Sequence, residues 1–452
     1  MIKTRLFKHN LPIDCKKMSR TSDFYNFVHF CDHTFAARAI TFALENKLLY
    51  IETKKLFYAF SGNYWEEISD LIPHIQAVLH NGLEYYMRKN PREKKAALVC
   101  MNETYKKSIG KKVVKDLSER TSRFYHDENK DPILFDSYPV RETLTLQDGV
   151  LDFSGDKIKF RKGLPEEYRL VPMPYTCKDT KNTGKPKLFL KALDLDFAQP
   201  SEETLKKNPV LTKDTLLYYL SLIPSRNVSK NYSCFMTGPD GTGKSTLISA
   251  LEKIFTNQNL ALLKSQILIA TKKAFDNENK PTPEIAELEG KLASISMDIP
   301  EDGRLKADEL KRLTGNDLIS VRKLRQGLHK FLPTAQIIIV GNELPSFYKH
   351  DSGIIRRLLV FHFNIEHAKR IKDKQYKDLY KGVPGDSAKL SELIASEAPA
   401  IIRLLAEKYI ELKQKYNLNI PISQECENAK SSYIDDQNKD TDKFNYKMFD
   451  MD

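Results

Sequence analysis

The sequence predicts an α/β protein whose central parallel sheet carries a phosphate-binding loop, with an α+β region before the sheet and a helical segment after it. Residues 233–255 are predicted to form a strand, a glycine-rich turn and a helix. Residues 291–298 are predicted to form a short strand that ends in a carboxylate, and residues 336–342 an apolar strand that ends in Asn342. Since the carboxyl ends of parallel strands meet at one edge, where ligands bind, we expect the functional site there.

The glycine-rich turn spans Gly238 to Ser245 and reads GPDGTGKS, which has the spacing of a P-loop. Glycines let the backbone turn tightly enough for successive N–H groups to face phosphate oxygens. Apolar residues then recur at three- and four-residue intervals from Leu247 to Phe255, which predicts a helix whose positive end faces the anion. The predicted nucleotide-binding residues are Gly238, Pro239, Asp240, Gly241, Thr242, Gly243, Lys244, Ser245 and Thr246.

Two side chains of the turn have specific expected roles. Lys244 is expected to reach the β- and γ-phosphates, and Ser245 is expected to hold Mg²⁺. The predicted cofactors are therefore ATP and Mg²⁺. An accidental match to a glycine-rich turn is the alternative, and the flanking strand and helix disfavour it.

A P-loop needs acids on a neighbouring strand to hold the metal and the attacking water. The run KLASISMD ends in Asp298, and Glu301 follows it. Asp298 either binds Mg²⁺ while Glu301 polarises the water, or fills the catalytic position itself. For Glu301, a surface turn is the competing interpretation.

The third strand, QIIIVGN, presents Asn342, whose amide is expected to orient the attacking water. The alternative for Asn342 is a turn-forming role. Further along, DSGIIRR places Arg356 and Arg357 in sequence. One of them is expected to stabilise transition-state charge on the nucleotide of a neighbouring subunit, unless both arginines pair with nearby acids or the sheet edge.

Residues 319–331, ISVRKLRQGLHKF, are predicted to form a basic hairpin that turns at Gln326-Gly327. A basic hairpin that emerges beside a nucleotide site suits contact with a phosphodiester backbone, and the alternative is an ordinary exposed hairpin. The net charge of +12 also favours a polyanionic partner. The predicted DNA-binding residues are Arg322, Lys323, Arg325, His329 and Lys330.

The order of these motifs, with KRLTGND at residues 311–317, resembles superfamily 3 helicases of the phage, plasmid and poxvirus primase-helicase type. The resemblance covers roughly residues 44–365. It implies an AAA+-type core, a homo-hexameric ring with nucleotide between subunits, and 3′ to 5′ translocation on single-stranded or forked DNA. It also makes a separate primase or polymerase a candidate partner. The family commonly has Glu at the position of Asp298 and Asn at that of Thr242.

Five segments are predicted along the chain. They are a helical extension (1–43), a helicase-associated domain (44–185), a helical collar (186–225), the ATPase core (226–365) and a helical carboxyl-terminal segment with an acidic tail (366–452). Polar residues 177–187 are expected to form the boundary before the motor, and the tail from about Ser423 is expected to be ordered only against a partner. The expected buried face of the extension comprises Phe24, Tyr25, Phe27, Phe30, Phe35 and Phe42.

Composition excludes several classes. No apolar run approaches the roughly 18 residues of a membrane span, and no secretory signal opens the chain, so we expect no membrane partner and a location in the cytoplasm of a bacterial or virus-infected host. The six scattered cysteines argue against a disulfide framework. Alternatives to a replicative helicase are an AAA+ initiator or DNA-remodelling ATPase without processive unwinding, a small-acceptor P-loop kinase, and a scaffold with an inactive P-loop.

Overall fold

The computed structural model describes residues 14–30, 32–44, 48–51, 56–68, 70–104, 107–121, 141–197, 200–270, 283–300, 303–322, 328–347 and 351–449. The chain divides into two compact units. Unit 1 comprises Met1–Phe135 and Lys162–Val171, and unit 2 comprises Asp136–Arg161 and Pro172–Asp452.

Unit 1 combines six helices with one small sheet among its described residues. The elements are α1 (Cys15–Met18), α2 (Ser22–Phe30), α3 (His33–Leu44), β1 (Leu48–Ile51), β2 (Leu56–Phe60), β3 (Trp65–Ile68), α4 (Ile72–Lys89), α5 (Lys94–Thr104) and α6 (Lys107–Thr121). The strands pair antiparallel in the order β1-β2-β3, and the predicted turn near Gly62 joins β2 to β3. Helices α1–α3 share one hydrophobic core with α4–α6, so residues 14–44 belong to this unit and form no separate extension.

The predicted aromatic core of residues 1–43 is only partly correct. Phe24 and Phe27 are fully buried, whereas Tyr25, Phe30 and Phe42 are 47%, 70% and 56% exposed. A helix turns by about 100° per residue, so a run of aromatics wider than one stripe must leave some rings on the outer face. The prediction was therefore wrong for Tyr25, Phe30 and Phe42.

Unit 2 contains the central sheet. Its first elements are β4 (Thr143–Thr145), β5 (Val150–Asp152), β6 (Lys159–Arg161), α7 (Cys177–Lys181), α8 (Lys187–Asp196), α9 (Glu202–Lys207), α10 (Thr212–Ser225), β7 (Ser233–Thr237), α11 (Lys244–Asn259), β8 (Leu260–Leu262), α12 (Ser265–Leu268), β9 (Ile269–Ala270) and α13 (Pro283–Ala286). The remaining elements are β10 (Ala293–Ser296), β11 (Arg304–Leu305), α14 (Ala307–Thr314), β12 (Ile319–Arg322), β13 (Leu328–Phe331), β14 (Gln336–Val340), α15 (Ser352–Ile355), β15 (Leu358–His362), α16 (His367–Arg370), α17 (Ser387–Ser396), α18 (Ala398–Tyr416) and α19 (Gln424–Phe449).

The central sheet has five strands in the order β15-β7-β14-β10-β8, and every neighbouring pair is parallel. This confirms the predicted α/β class with a central parallel sheet. Strand β7 lies between β15 and β14, which both come later in the chain, so the strand order reverses beside the strand that leads into the P-loop. Ligands of open α/β sheets bind at the carboxyl ends of strands where the order reverses.

Both faces of the sheet are covered, which explains why every residue of β7, β10 and β14 is buried. Side chains alternate between the two faces. On β7, Cys234 and Met236 pack into the core formed with α10, α11 and α18, whereas Phe235 packs into the core on the opposite face, formed with α12 and α14. The sheet is therefore a rigid support for the loops at its edges.

The carboxyl-terminal tail differs from its prediction. Residues from Gln424 form α19, which places Cys426 and Tyr433 in the hydrophobic cores. The Tyr433 hydroxyl donates to the Pro345 carbonyl, and the buried Thr212 and Ser423 hydroxyls lie 3.0 Å apart. The first part of the tail is therefore packed against its own chain.

Two further findings concern the chain as a whole. Residues 177–187, expected as a boundary, lie inside unit 2, where α7 packs on α18. Across the described ranges, no helix is both long and apolar enough to cross a lipid bilayer.

Candidate functional site

The P-loop sequence joins the end of β7 to the start of α11, as predicted. Gly238 and Gly243 have φ angles of +136° and +95°, a region that side chains other than glycine rarely adopt. A Cβ at Gly238 would overlap the Phe363 carbonyl oxygen, and a Cβ at Gly243 would overlap the Asp196 carboxylate. Both glycines are therefore required by backbone conformation and by close neighbours.

The ammonium of Lys244 is held on the inner side of this loop. It donates to the carbonyl oxygens of Gly238 at 2.5 Å and Pro239 at 2.7 Å. Burial lowers the pKa of Lys244, and the nearby Asp240 carboxylate opposes that shift. The Lys244 ammonium can therefore exchange these carbonyl acceptors for the oxygens of a bound anion.

Asn342 lies directly beside the P-loop. Its backbone carbonyl accepts from the Thr237 hydroxyl at 2.8 Å and from the Gly238 N–H at 3.3 Å. With the amide nitrogen turned toward the loop, Nδ2 donates to Asp240 Oδ1 and to the Gly238 carbonyl, both at 3.2 Å. The sequence predicted that Asn342, at the end of β14, lies near the P-loop, and the two are in direct contact.

Asp298 follows β10 by two residues and is exposed. Its φ of +56° is uncommon outside glycine, although Asp tolerates this region better than most residues. A side chain at Gly341 would contact Ile299, so the segment after β10 packs against the residue that precedes Asn342. Asp298, Asn342 and the P-loop therefore share the carboxyl edge of the sheet.

The other P-loop residues differ in their exposure at this edge of the sheet. Ser245, Pro239 and Asp240 are exposed, whereas Thr242 is buried and donates to the Pro239 carbonyl. A hydroxyl and a carboxylate are oxygen ligands of the kind that Mg²⁺ prefers, so Ser245 and Asp298 fit a magnesium site. Glu301, the second predicted acid, lies outside the described residues.

The two arginines occupy different environments. Arg357 is buried: its Nε donates to the Thr314 hydroxyl at 3.1 Å and one terminal nitrogen donates to the Gly353 carbonyl at 2.5 Å. Arg356 is exposed at the end of α15. Of the two, only Arg356 presents its guanidinium outward.

Arg356 also lies at the amino edge of the sheet, because β15 begins two residues later and pairs Leu358 with Ser233. The P-loop leaves the opposite edge. A five-residue strand spans about 16 Å, so Arg356 lies too far away to reach the P-loop of its own chain.

The predicted basic hairpin is present as the antiparallel pair β12 and β13. Ile319, Val321 and Phe331 anchor it in the core, and Lys330 is exposed. The side chains of Arg322 and His329, and the whole of Lys323 and Arg325, lie outside the described parts. Since β13 leads into the amino end of β14, the hairpin is attached at the edge opposite the P-loop, not beside the nucleotide site as expected.

The sequence interpretation missed a cavity next to the P-loop. It has a volume of about 270 Å³ and is lined mainly by apolar side chains of α8 and α17, together with Gly241, Gly243 and Leu247. Ligand pockets in proteins are usually concave, mostly apolar and supplied with a few placed polar groups.

Asp196, His367 and Tyr380 form a polar cluster in the lining of this cavity. The ring of His367 lies 3.0 Å from Asp196 Oδ1 through Nε2 and 2.8 Å from the Tyr380 hydroxyl through Nδ1. The His367 backbone N–H donates to the Gly241 carbonyl at 3.2 Å. Burial raises the pKa of Asp196, and the His367 hydrogen bond opposes this shift. No local spacing connects Asp196 to His367, which lie 171 positions apart, so only the fold reveals the cluster.

Comparisons with known proteins find a matching family and a similar viral protein. Residues 236–357 match DUF5906, a family of unknown function. Over 327 residues, or 69% of this chain, the sequence is 24% identical to a putative helicase, L207/L206, of Acanthamoeba polyphaga mimivirus. This chain spans about a third of the length of that relative, since the match covers 32% of it.

Solved structures with some similarity include two of the C-terminal region of NrS-1, both apo forms. The first has 14% identity and a TM-score of 0.40, and covers 86% of this chain and 74% of that one. The second has 12% identity and a TM-score of 0.35, with 61% and 70% covered. TM-scores this low do not establish a shared overall fold.

Proposed function

We propose that this chain is an ATP-dependent DNA helicase of a virus, phage or other mobile element, working as a ring on single-stranded DNA. One observation carries the proposal: a P-loop with Lys244, Asp298 and Asn342 shares the carboxyl edge of a five-stranded parallel sheet. The similarity to a putative viral helicase supports the same function.

Each residue has a chemical task in this proposal. The Lys244 ammonium neutralises phosphate charge, and Ser245 with Asp298 would hold Mg²⁺, which supplies further positive charge beside the phosphates. Asn342 orients the attacking water, and Asp298 or Glu301 accepts its proton. The superfamily 3 assignment remains a prediction from the motif order.

The apolar cavity fits the nucleoside half of ATP. Gly241 and Gly243 of the P-loop form part of the cavity wall. A nucleotide whose phosphates bind the P-loop would therefore place its base among the side chains of α8 and α17. The cluster of Asp196, His367 and Tyr380 offers hydrogen-bonding groups to a ribose or a base there.

Val383 is half-buried and lines this cavity, and replacing it with Trp is expected to fill part of the space. We expect at least about tenfold weaker ADP binding, equivalent to about 1.4 kcal/mol, because the nucleoside loses its pocket while the P-loop is intact. Calorimetric titration measures the effect, and the competitive inhibition constant (Ki) of inorganic pyrophosphate, which has no nucleoside, should not change. Equal losses for both ligands would mean that the cavity does not hold the base.

The hairpin is expected to contact DNA phosphates. Replacing Lys323 and Lys330 with Ala should weaken single-strand binding and reduce the log–log salt slope by about 0.7 for each lost contact. Fluorescence anisotropy over a salt series measures the slope. An unchanged slope with wild-type affinity would make the hairpin an ordinary surface feature.

Strand separation on a forked duplex tests the proposal as a whole. The helicase should release the labelled strand only with hydrolysable ATP. DNA-dependent hydrolysis without strand release would favour the initiator or remodelling ATPase. Hydrolysis indifferent to DNA would favour a kinase-like enzyme.

A further inference from the structure

We infer that an aromatic surface on α2 and α3 is a second binding site for single-stranded DNA, which holds the strand by base stacking. The aromatic surface comprises Tyr25, Phe30, Phe35 and Phe42 in unit 1. It belongs to neither the nucleotide site nor the basic hairpin.

The exposed residues of this surface have an unusual composition. Among residues 22–30 and 33–43, those classed as exposed are Ser22, Tyr25, His29, Phe30, Arg38 and Phe42. Every one except the serine is aromatic or basic, and none is a carboxylate or an aliphatic residue. Aromatic and arginine side chains are also enriched in protein interfaces, but bases stack on aromatic rings and their phosphates pair with cations, so this composition suits a single strand of DNA.

The cations lie next to the rings. Lys17 Nζ is 5.1 Å from the centre of the Phe42 ring, and the Arg38 guanidinium is 5.8 Å from that of Phe35. The rings of Phe30 and Phe35 are 6.4 Å apart, and those of Tyr25 and His29 are 4.3 Å apart. The rings therefore extend along α2 and α3. The positive charges of Lys17 and Arg38 are within reach of the phosphates of a DNA strand that crosses these rings.

Acids also lie near this surface: Glu93 Oε2 is 3.3 Å from His29 Nε2 and accepts from the Tyr86 hydroxyl. Asp14 accepts from the backbone N–H groups of Lys16 and Lys17, and Asp32 accepts from that of Thr34. The Thr34 N–H lowers the pKa of Asp32. Within the described parts of the chain, Arg38 forms no ion pair with a carboxylate. Its charge is thus available to a phosphate.

An abasic oligonucleotide isolates the stacking contribution, because it keeps the phosphates and lacks the bases. The measurement is the ratio of dissociation constants for abasic and thymidine strands of equal length, determined by fluorescence anisotropy with the full chain. Each stacked base typically contributes a factor of about 5 to 150. Replacing Tyr25, Phe30 and Phe42 together with Ala should lower the ratio at least about fivefold.

Three matched variants make the test specific. Leu98→Ala with Val99→Ala removes exposed aliphatic side chains from α5 of the same unit and should leave the ratio unchanged. Replacing the three rings with Leu should lower the ratio as Ala does, whereas replacing them with Trp should preserve it, because stacking needs a π-face and not merely apolar area. Since the rings are exposed, the melting temperature of each variant should remain that of the wild type.

The surface would not bind DNA by stacking if the Ala variant kept the wild-type ratio, or if the Leu variant did. The second result would mean that apolar contact, and not stacking on a π-face, holds the bases. Variants of the basic hairpin should weaken the binding of abasic and thymidine DNA equally and leave the ratio of their dissociation constants unchanged. Failure of this inference is therefore distinguishable from failure of the proposed motor function.

Discussion

Replacing Arg356 with Ala should lower ATP hydrolysis by about 10³- to 10⁵-fold, the range measured for arginine fingers, while the protein folds normally. Arg356 is exposed and lies at the amino edge of the sheet, about 16 Å from the P-loop edge. It therefore cannot act on the nucleotide of its own subunit, and its effect requires a neighbouring subunit. A steady-state hydrolysis assay measures the loss.

The same placement predicts complementation between subunits. Mixing Lys244→Ala subunits with Arg356→Ala subunits should restore part of the activity, because an intact P-loop in one subunit can face an intact Arg356 in the next. Wild-type activity per subunit should also rise with protein concentration as rings form. Full activity of Arg356→Ala, or equal turnover from a proven monomer, would contradict a trans-acting role.

Arg357 provides the matched control. Its guanidinium is bound to Thr314 and Gly353, and its neighbour Asp351 is held by Lys311 Nζ at 2.6 Å. Arg357→Ala removes buried hydrogen bonds, so it should cost about 1–3 kcal/mol of folding stability and lower the melting temperature. Arg356→Ala should leave the melting temperature unchanged.

Replacing Lys244 with Ala should reduce ATP hydrolysis by at least about 10²-fold, a typical loss for one preorganised donor to developing charge. The buried ammonium donates to loop carbonyls, so its positive charge lies where phosphate oxygens would bind. Phosphate release from well-folded protein measures the effect.

Lys253→Ala is the control for this variant, because it removes another lysine from α11. Its ammonium donates to the Ser391 hydroxyl at 2.7 Å, away from the P-loop. It should hydrolyse ATP at nearly the wild-type rate. If Lys244→Ala also retained that rate, the P-loop would not be the site of hydrolysis.

Local patterns in the sequence were sufficient to predict the central elements. The glycine spacing before Lys244 requires positive φ angles, and the apolar runs that lead to Asp298 and Asn342 form buried parallel strands with adjacent carboxyl ends. These features depend on residues close together in the chain. Strand, loop and helix could therefore be placed from sequence alone.

Features that depend on distant residues could not be predicted in this way. The cluster of Asp196, His367 and Tyr380 forms only when α8 and α16 meet beside the P-loop. The hairpin lies at the opposite edge because α14 runs from the carboxyl edge back to the amino edge, where Thr314 contacts Arg357. The aromatic content of residues 1–43 likewise did not reveal that Phe30 is exposed. Its burial depends on which face of α2 packs against the core, and that is set by the fold of the whole unit.

The most direct test of the central claim is the rate of Mg²⁺-dependent ATP hydrolysis by the purified chain with and without single-stranded DNA. The proposed motor predicts hydrolysis that single-stranded DNA stimulates and that Lys244→Ala reduces by at least about 10²-fold. Hydrolysis that is absent, or equal in the Lys244→Ala variant and indifferent to DNA, would contradict it.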